Sequence, residues 1–112
     1  MPRPARLGQA ALAAELAGPD APAWDLVDGM LVKAVECPSF LSALDFVVAV
    51  GHLAEEADHH PDIDIRWRTV RLALVTHDAG GLTELDFSLA RAVDALPVGQ
   101  PSTRDVTEDG TP

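Results

Sequence analysis

Between Pro38 and Pro61 the chain reads PSFLSALDFVVAVGHLAEEADHHP, a run with no internal proline. Its polar positions Ser42, Asp45, His52 and Glu56 fall at i, i+3, i+10 and i+14, one narrow stripe of a helix, and nearly everything else is apolar. Ser39 offers a cap just after Pro38, and the helical pattern carries to about residue 57. Such a helix has to be covered on most of its circumference. A chain of 112 residues with 47% apolar content has room for one compact core, so the segments on either side can supply part of that cover.

Those segments read as strands and two further helices. Residues 5 to 17 are rich in Ala and Leu and stop at Gly18-Pro19, the pattern of a first helix. In AWDLVDGMLVKAVEC, Asp28-Gly29 separates two runs of β-formers and supplies the positive φ angles of a type I′ hairpin. After Pro61, DIDIRWRTVRLALVTHD alternates and is long enough for two strands with a break near Arg68-Thr69, although no Gly or Asn marks a turn. Val70, Leu72, Leu74 and Thr76 share one face there, and Arg71, Ala73, Val75 and His77 the other. DAGGLT reads as a loop, Thr83 as a cap, and ELDFSLARAVDAL as a last helix ended by Pro97. The order α-β-β-α-β-β-α predicts an α+β domain over residues 1–97, a four-stranded antiparallel sheet with its helices packed on one face. Residues 98–112 are polar, with Pro and Gly, and are expected to be a disordered tail. A sheet covers one side of the central helix, which leaves the rest available as an oligomer contact.

Charge narrows the function. The net charge is −10, so no basic surface exists to neutralise a phosphate backbone or an anionic membrane, and nucleic acid is not expected as a direct partner. No segment approaches the ~20 apolar residues of a membrane span. The opening MPRPARLGQAALAAELAG has a basic start, but Gln9 and Glu15 interrupt it, which reads as an amphipathic helix rather than a secretory signal. One cysteine, Cys37, cannot form an intramolecular disulfide, and a reducing cytoplasm fits.

The titratable groups concentrate where the central helix ends. Glu55, Glu56 and Asp58 crowd a helix C-terminus, where acids oppose the helix dipole, and such breaks of a local rule tend to mark sites. For the carboxylates alone a solvated acidic patch is the simpler reading. Two histidines follow. Helical spacing puts Glu55 and His59 at i, i+4, where a carboxylate can hold an imidazole and fix its tautomer. His60 and Pro61 leave the helix, and His77 ends a strand on its less apolar face. Asp86, three residues after Thr83, fits a capping box. His52 lies on the polar stripe and is given no role. Zinc is the rival chemistry, because His52, His59, His60, His77 and the nearby acids include enough ligands, but HExxH and Cys-His clusters are both missing. GxSxG is missing too, and DAGG alone is a weak phosphate-loop signal.

Taken together, Glu55, His59-His60-Pro61, Trp67, His77 and Asp86 at their spacings resemble the signature of pterin-4a-carbinolamine dehydratases. THDAGGLTELDFSLARAVDAL is similar to that family's TH-x-x-x-GLT-x-x-D-x-x-LA segment, and Trp24 stands where the family has a tryptophan before its first strand. The resemblance covers about residues 22 to 96. It departs at residues 62 to 66, DIDIR, where an aromatic is frequent, and at Cys37, where Phe is frequent.

The resemblance implies dehydration of a 4a-hydroxytetrahydropterin to the quinonoid dihydropterin, the recycling step for a tetrahydrobiopterin-type cofactor. The pterin is then the substrate, and neither a metal nor another cofactor is expected. His59, His60 and His77 would line the pterin site and share the acid and base roles. Glu55 would hold His59, Asp86 would assist from the last helix, Trp24 would wall the pocket, and Pro61 would turn the chain. A homodimer or homotetramer is implied as well. Relatives of this fold also serve as binding modules, partners of a transcription factor or assembly factors, so a non-catalytic module is the alternative. Glu56 and Asp58 have no assigned role.

Overall fold

The computed structural model describes residues 4 to 97; the expected tail, 98–112, lies outside the described residues. Helix α1 spans Gln9–Ala17, followed by strands β1 (Asp25–Val27) and β2 (Met30–Glu36). Helix α2 (Phe40–Ala57) leads to β3 (Asp62–Arg66) and β4 (Thr69–Leu74), then a short 3-10 turn at His77–Ala79 and helix α3 (Glu84–Asp94). The architecture is the expected α+β order, α-β-β-α-β-β-α, with a four-stranded sheet in the order β1-β2-β4-β3 and every neighbour antiparallel.

The sheet follows from two tight turns and one alternating pattern. Asp28 (φ 51°) and Gly29 (φ 79°) are both left-handed, which joins Val27 to Met30 in the expected hairpin. The second hairpin closes Arg66 on Thr69 through Trp67-Arg68, with the positive φ on Trp67 at 57°. On β2 and β4, Leu31, Val35, Val70, Leu72 and Leu74 turn one way and are buried. They form the core with Ala43, Phe46 and Val50 of α2 and with Phe87, Leu89, Ala90 and Val93 of α3. Each Val, Leu or Phe side chain among them contributes about 1.5–3 kcal/mol when removed from water.

Helix α1 starts later than the composition suggests. Residues 5 to 8 are not helical, and the Leu7 N–H donates instead to the Leu82 carbonyl at 2.8 Å. The start of α2 is a capping box between Ser39 and Ser42. The sheet-facing side of α2 is Ala43, Phe46, Val50 and Ala54, while Phe40 and Val48 remain 47% and 59% exposed on other faces. Among the described residues no helix is long and apolar enough to cross a membrane.

Candidate active site

The end of α2 decides where the histidines go. Asp58 adopts a left-handed conformation (φ 50°), its N–H bonding to the Glu55 carbonyl at 3.2 Å, and the His59 N–H reaches the Ala54 carbonyl at 3.1 Å. This is the Schellman closure, and it breaks the helical spacing one residue before His59. The expected Glu55–His59 pair is therefore replaced. Glu55 Oε2 lies 2.5 Å from His60 Nε2, in an exposed pair. His59 turns inward, 4% exposed, and its Nε2 is 2.6 Å from Asp86 Oδ1.

Asp86 is the hub of the buried side. Fully buried at the start of α3, it receives the Thr76 hydroxyl at 2.7 Å and the Thr83 N–H at 2.9 Å on Oδ2. Thr83 Oγ1 lies 2.9 Å from Thr76 Oγ1, and since the Thr76 proton is committed to Asp86, the Thr83 hydroxyl donates to Thr76. Asp86 thus does two jobs, closing the capping box of α3 and holding His59. Ionised, it can only accept, so His59 Nε2 carries the hydrogen and the neutral ring keeps its lone pair on Nδ1. The same logic applies to His60 against Glu55. Of the two adjacent imidazoles, exposed His60 can present its Nδ1 to a proton, while His59 is held in the buried network.

The register places the third histidine at the same end of the sheet. Asp62 pairs with Ala73, so the segment 59–61 before β3 runs beside the segment 75–77 after β4. Thr76, bridged to Gly81, joins Asp86 to that segment, and exposed His77 follows it in the 3-10 turn. Pro61, at the head of β3, and Glu55 belong to the same cluster.

Trp24 does not. It precedes β1, the opposite edge of the sheet, with three strand spacings of about 4.8 Å to cross before β3. Its indole is buried and its Nε1–H donates to Asp94 Oδ1 at 2.8 Å. Asp94 also takes Lys33 Nζ at 2.7 Å, so the tryptophan fastens β1 and β2 to α3. The fold thus sets Trp24, expected as a pocket wall, apart from the histidines within one copy of the chain.

A cavity of about 340 Å³ opens beside His60 and Glu55, between α2 and the head of β3. Val48, Gly51, His52 and Ala54 line it from α2, Pro61 and Ile63 from the other side. A larger hollow of about 600 Å³, by Glu15, Arg91 and Asp94, lies on other elements and includes none of the histidines, so the smaller one is the better match to the chemistry. Among the described residues no three His, Cys, Asp or Glu side chains converge in a way that could hold a metal ion.

The family model described as pterin 4 alpha carbinolamine dehydratase matches residues 5–96. The chain belongs to this family. A protein of Chloroflexus aurantiacus that carries the dehydratase family's name is 52% identical over 91 residues, 81% of this chain and 96% of its own. A relative from Acidobacterium capsulatum with the same family name is 57% identical over 75 residues, 67% of this chain and 82% of its own. Among solved structures, a transcriptional coactivator/pterin dehydratase from Brucella melitensis superposes with a TM-score of 0.73 at 30% identity, covering 80% of this chain and 96% of that one. A pterin dehydratase-like protein identified as a RuBisCO assembly factor in the alpha-carboxysome gives 0.58 at 26% identity, over 72% of this chain and 96% of its own. Nothing in the sequence singled out Thr76 as a partner of Asp86. A threonine in an alternating strand reads as a β-former, and its hydroxyl matters only once Asp86 is folded beneath it.

Proposed function

We propose that this chain dehydrates a 4a-hydroxytetrahydropterin to the quinonoid dihydropterin, with His59, His60 and His77 sharing the proton transfers. The N5 lone pair expels the C4a hydroxyl, whose oxygen takes a proton from one imidazole in its protonated form and leaves as water. The N5 proton passes to another. One proton is given and one taken, so the side chains keep their total of protons, the two imidazoles are reset by exchange with solvent before the next turnover, and no electron acceptor enters. Imidazoles suit both steps because their ordinary pKa lies near neutral pH. The observation that carries the reading is the adjacent pair, each ring bonded through Nε2 to its own carboxylate, at the sheet end that also bears His77.

In this proposal Asp86 and Glu55 are positioning residues, Pro61 sets the exit of the chain, and the reaction needs no metal or further cofactor. The setting is cytoplasmic recycling of a tetrahydrobiopterin-type cofactor, and the free Cys37 is consistent with a reducing compartment. A homodimer or homotetramer would cover exposed Phe40 and Val48 on α2. One observation favours a second reading, a non-catalytic binding module: the neighbour named as an assembly factor shares the fold.

The decay of a synthetic 4a-hydroxytetrahydropterin, followed with the wild type and with His59→Ala, His60→Ala and His77→Ala, separates the two. The wild type should outpace buffer, and each variant should lose about 10²-fold or more. A wild type no faster than buffer would leave the binding module as the reading.

A further inference from the structure

His77 sits on a short loop whose two ends are held by different parts of the molecule. The Thr76 N–H meets the Gly81 carbonyl at 3.2 Å and closes the loop at its base, while Gly80 (φ 76°), its N–H on the His77 carbonyl at 3.0 Å, turns the chain back. The Thr76 end is fixed from the core, by its hydroxyl on Asp86. No side chain can do the same for Gly80 and Gly81, which border a cavity of about 320 Å³ shared with Leu26 and Gly29.

What covers that end is the segment before α1. The Leu7 N–H donates to the Leu82 carbonyl at 2.8 Å, and the Leu7 side chain packs against the core. One residue earlier, Arg6 lies across Gly81: a Cβ at position 81 would stand 2.6 Å from the Arg6 Cδ and 3.0 Å from its Cγ. Gly81, unlike Gly80, has no left-handed φ to maintain, so its missing side chain answers to this crossing and not to backbone conformation. The crowded atoms are at the root of the Arg6 side chain rather than at its charged tip. Relief would take a new χ1 at Arg6 or a shift of the whole segment.

We propose that Arg6 and Leu7 are positioning residues for His77: they form a strap that lies over Gly81-Leu82 and holds the second end of the loop, so that the imidazole keeps a fixed place. The catalytic consequence rests on the dehydratase reading above.

The test is a double-mutant cycle in the full chain: Gly81→Ala, Arg6→Ala and the two together. Each is measured for kcat and KM on a 4a-hydroxytetrahydropterin, for the His77 ring resonances and Gly80 amide exchange by NMR, and for Tm. Gly81→Ala should push the strap off, lowering kcat about tenfold with KM within about twofold. It should also move the His77 resonances, leave those of His59 in place and quicken Gly80 exchange. Arg6→Ala should cost roughly threefold in kcat, and the double variant should cost no more, because the new methyl group then meets no Arg6 Cγ or Cδ; that rescue is a coupling of about tenfold. Gly81→Ala at wild-type kcat with His77 unmoved would show that Arg6 merely swings aside, and would overturn the proposal. Equal losses in Gly81→Ala and the double variant would do so too, since the fault would then lie in the backbone of residue 81. So would a loss of kcat that follows Tm while His59 and His77 shift together. An inactive wild type would defeat the dehydratase reading and not the strap, which the His77 resonances and the Gly80 exchange would still decide.

Discussion

Asp86→Asn changes one atom at the most connected point of the buried network. The amide oxygen can take the place of Oδ2 and keep the Thr76 hydroxyl and the Thr83 N–H. The amide nitrogen then faces His59 Nε2 across 2.6 Å, with hydrogens on both. His59 has to move its proton to Nδ1 and accept at Nε2. A charge-assisted bond of about 1.5–3 kcal/mol becomes a neutral one of about 0.5–1.5 kcal/mol, a net loss of roughly 1–2 kcal/mol. At about 4–8 °C per kcal/mol for a domain of this size, Tm should fall by roughly 5–15 °C in a circular dichroism melt. If the proposed reaction holds, kcat should fall further, by about 10²-fold or more, because His59 is then held in the opposite tautomer. Glu55→Gln is the control: its pair with His60 is exposed, so stability should change by less than about 1 kcal/mol while kcat drops. An Asp86→Asn protein that melts within about 2 °C of wild type and turns over normally would refute both the network energetics and the tautomer argument.

Three further outcomes follow from the described geometry. Trp67→Asn should raise Tm: a bulky residue at φ 57° costs about 1–2 kcal/mol, more than the ~0.5–1 kcal/mol of its exposed contact with the Arg68 guanidinium 4.9 Å away, and Asn tolerates the left-handed region. Asp58→Val should destabilise, by about 1–2 kcal/mol in urea unfolding, since a β-branched residue does not tolerate the left-handed turn that ends α2. Cys37 should resist thiol reagents in the folded protein and react on unfolding. Burial pushes its thiol above the ordinary value, so its contribution to stability is complete below that value and is lost as pH rises through the raised one; wild type should lose Tm at alkaline pH more steeply than Cys37→Ala.

The fold was legible where residue type and backbone geometry agree. Asp28-Gly29 states its turn in the sequence, Ser39 and Thr83 announce the helices they cap, and the alternation from Val70 to Leu74 marks a face that is buried. The second hairpin is silent because its left-handed residue is a tryptophan, which seldom adopts that conformation. For the candidate site, the sequence singled out groups that the fold pairs differently. Helical spacing joined Glu55 to His59, but spacing holds only while the helix does, and Asp58 ends it. Trp24 was assigned from resemblance alone, and the sheet order that separates it from β3 is a long-range property no local pattern carries.

The sharp end of α2 also explains how two identical neighbours acquire different environments. Beyond Asp58 the chain is no longer helical, and successive side chains of an extended backbone point in opposite directions. Pro61 favours extended geometry at His60, so one ring turns in and the other out. The inward ring is held by the hydrogen bonds that tie the end of β4 to the start of α3, and loosening it would expose Asp86, Thr76 and Thr83 together. The outward ring rests on a single exposed carboxylate and can exchange its proton with water or ligand. A reaction that both donates and accepts a proton gains from that asymmetry, because one imidazole keeps a fixed position while the other can be recharged between turnovers. The acids at the helix end divide in the same way: Glu55 serves the outer ring, and Asp58 creates the turn that parts the two.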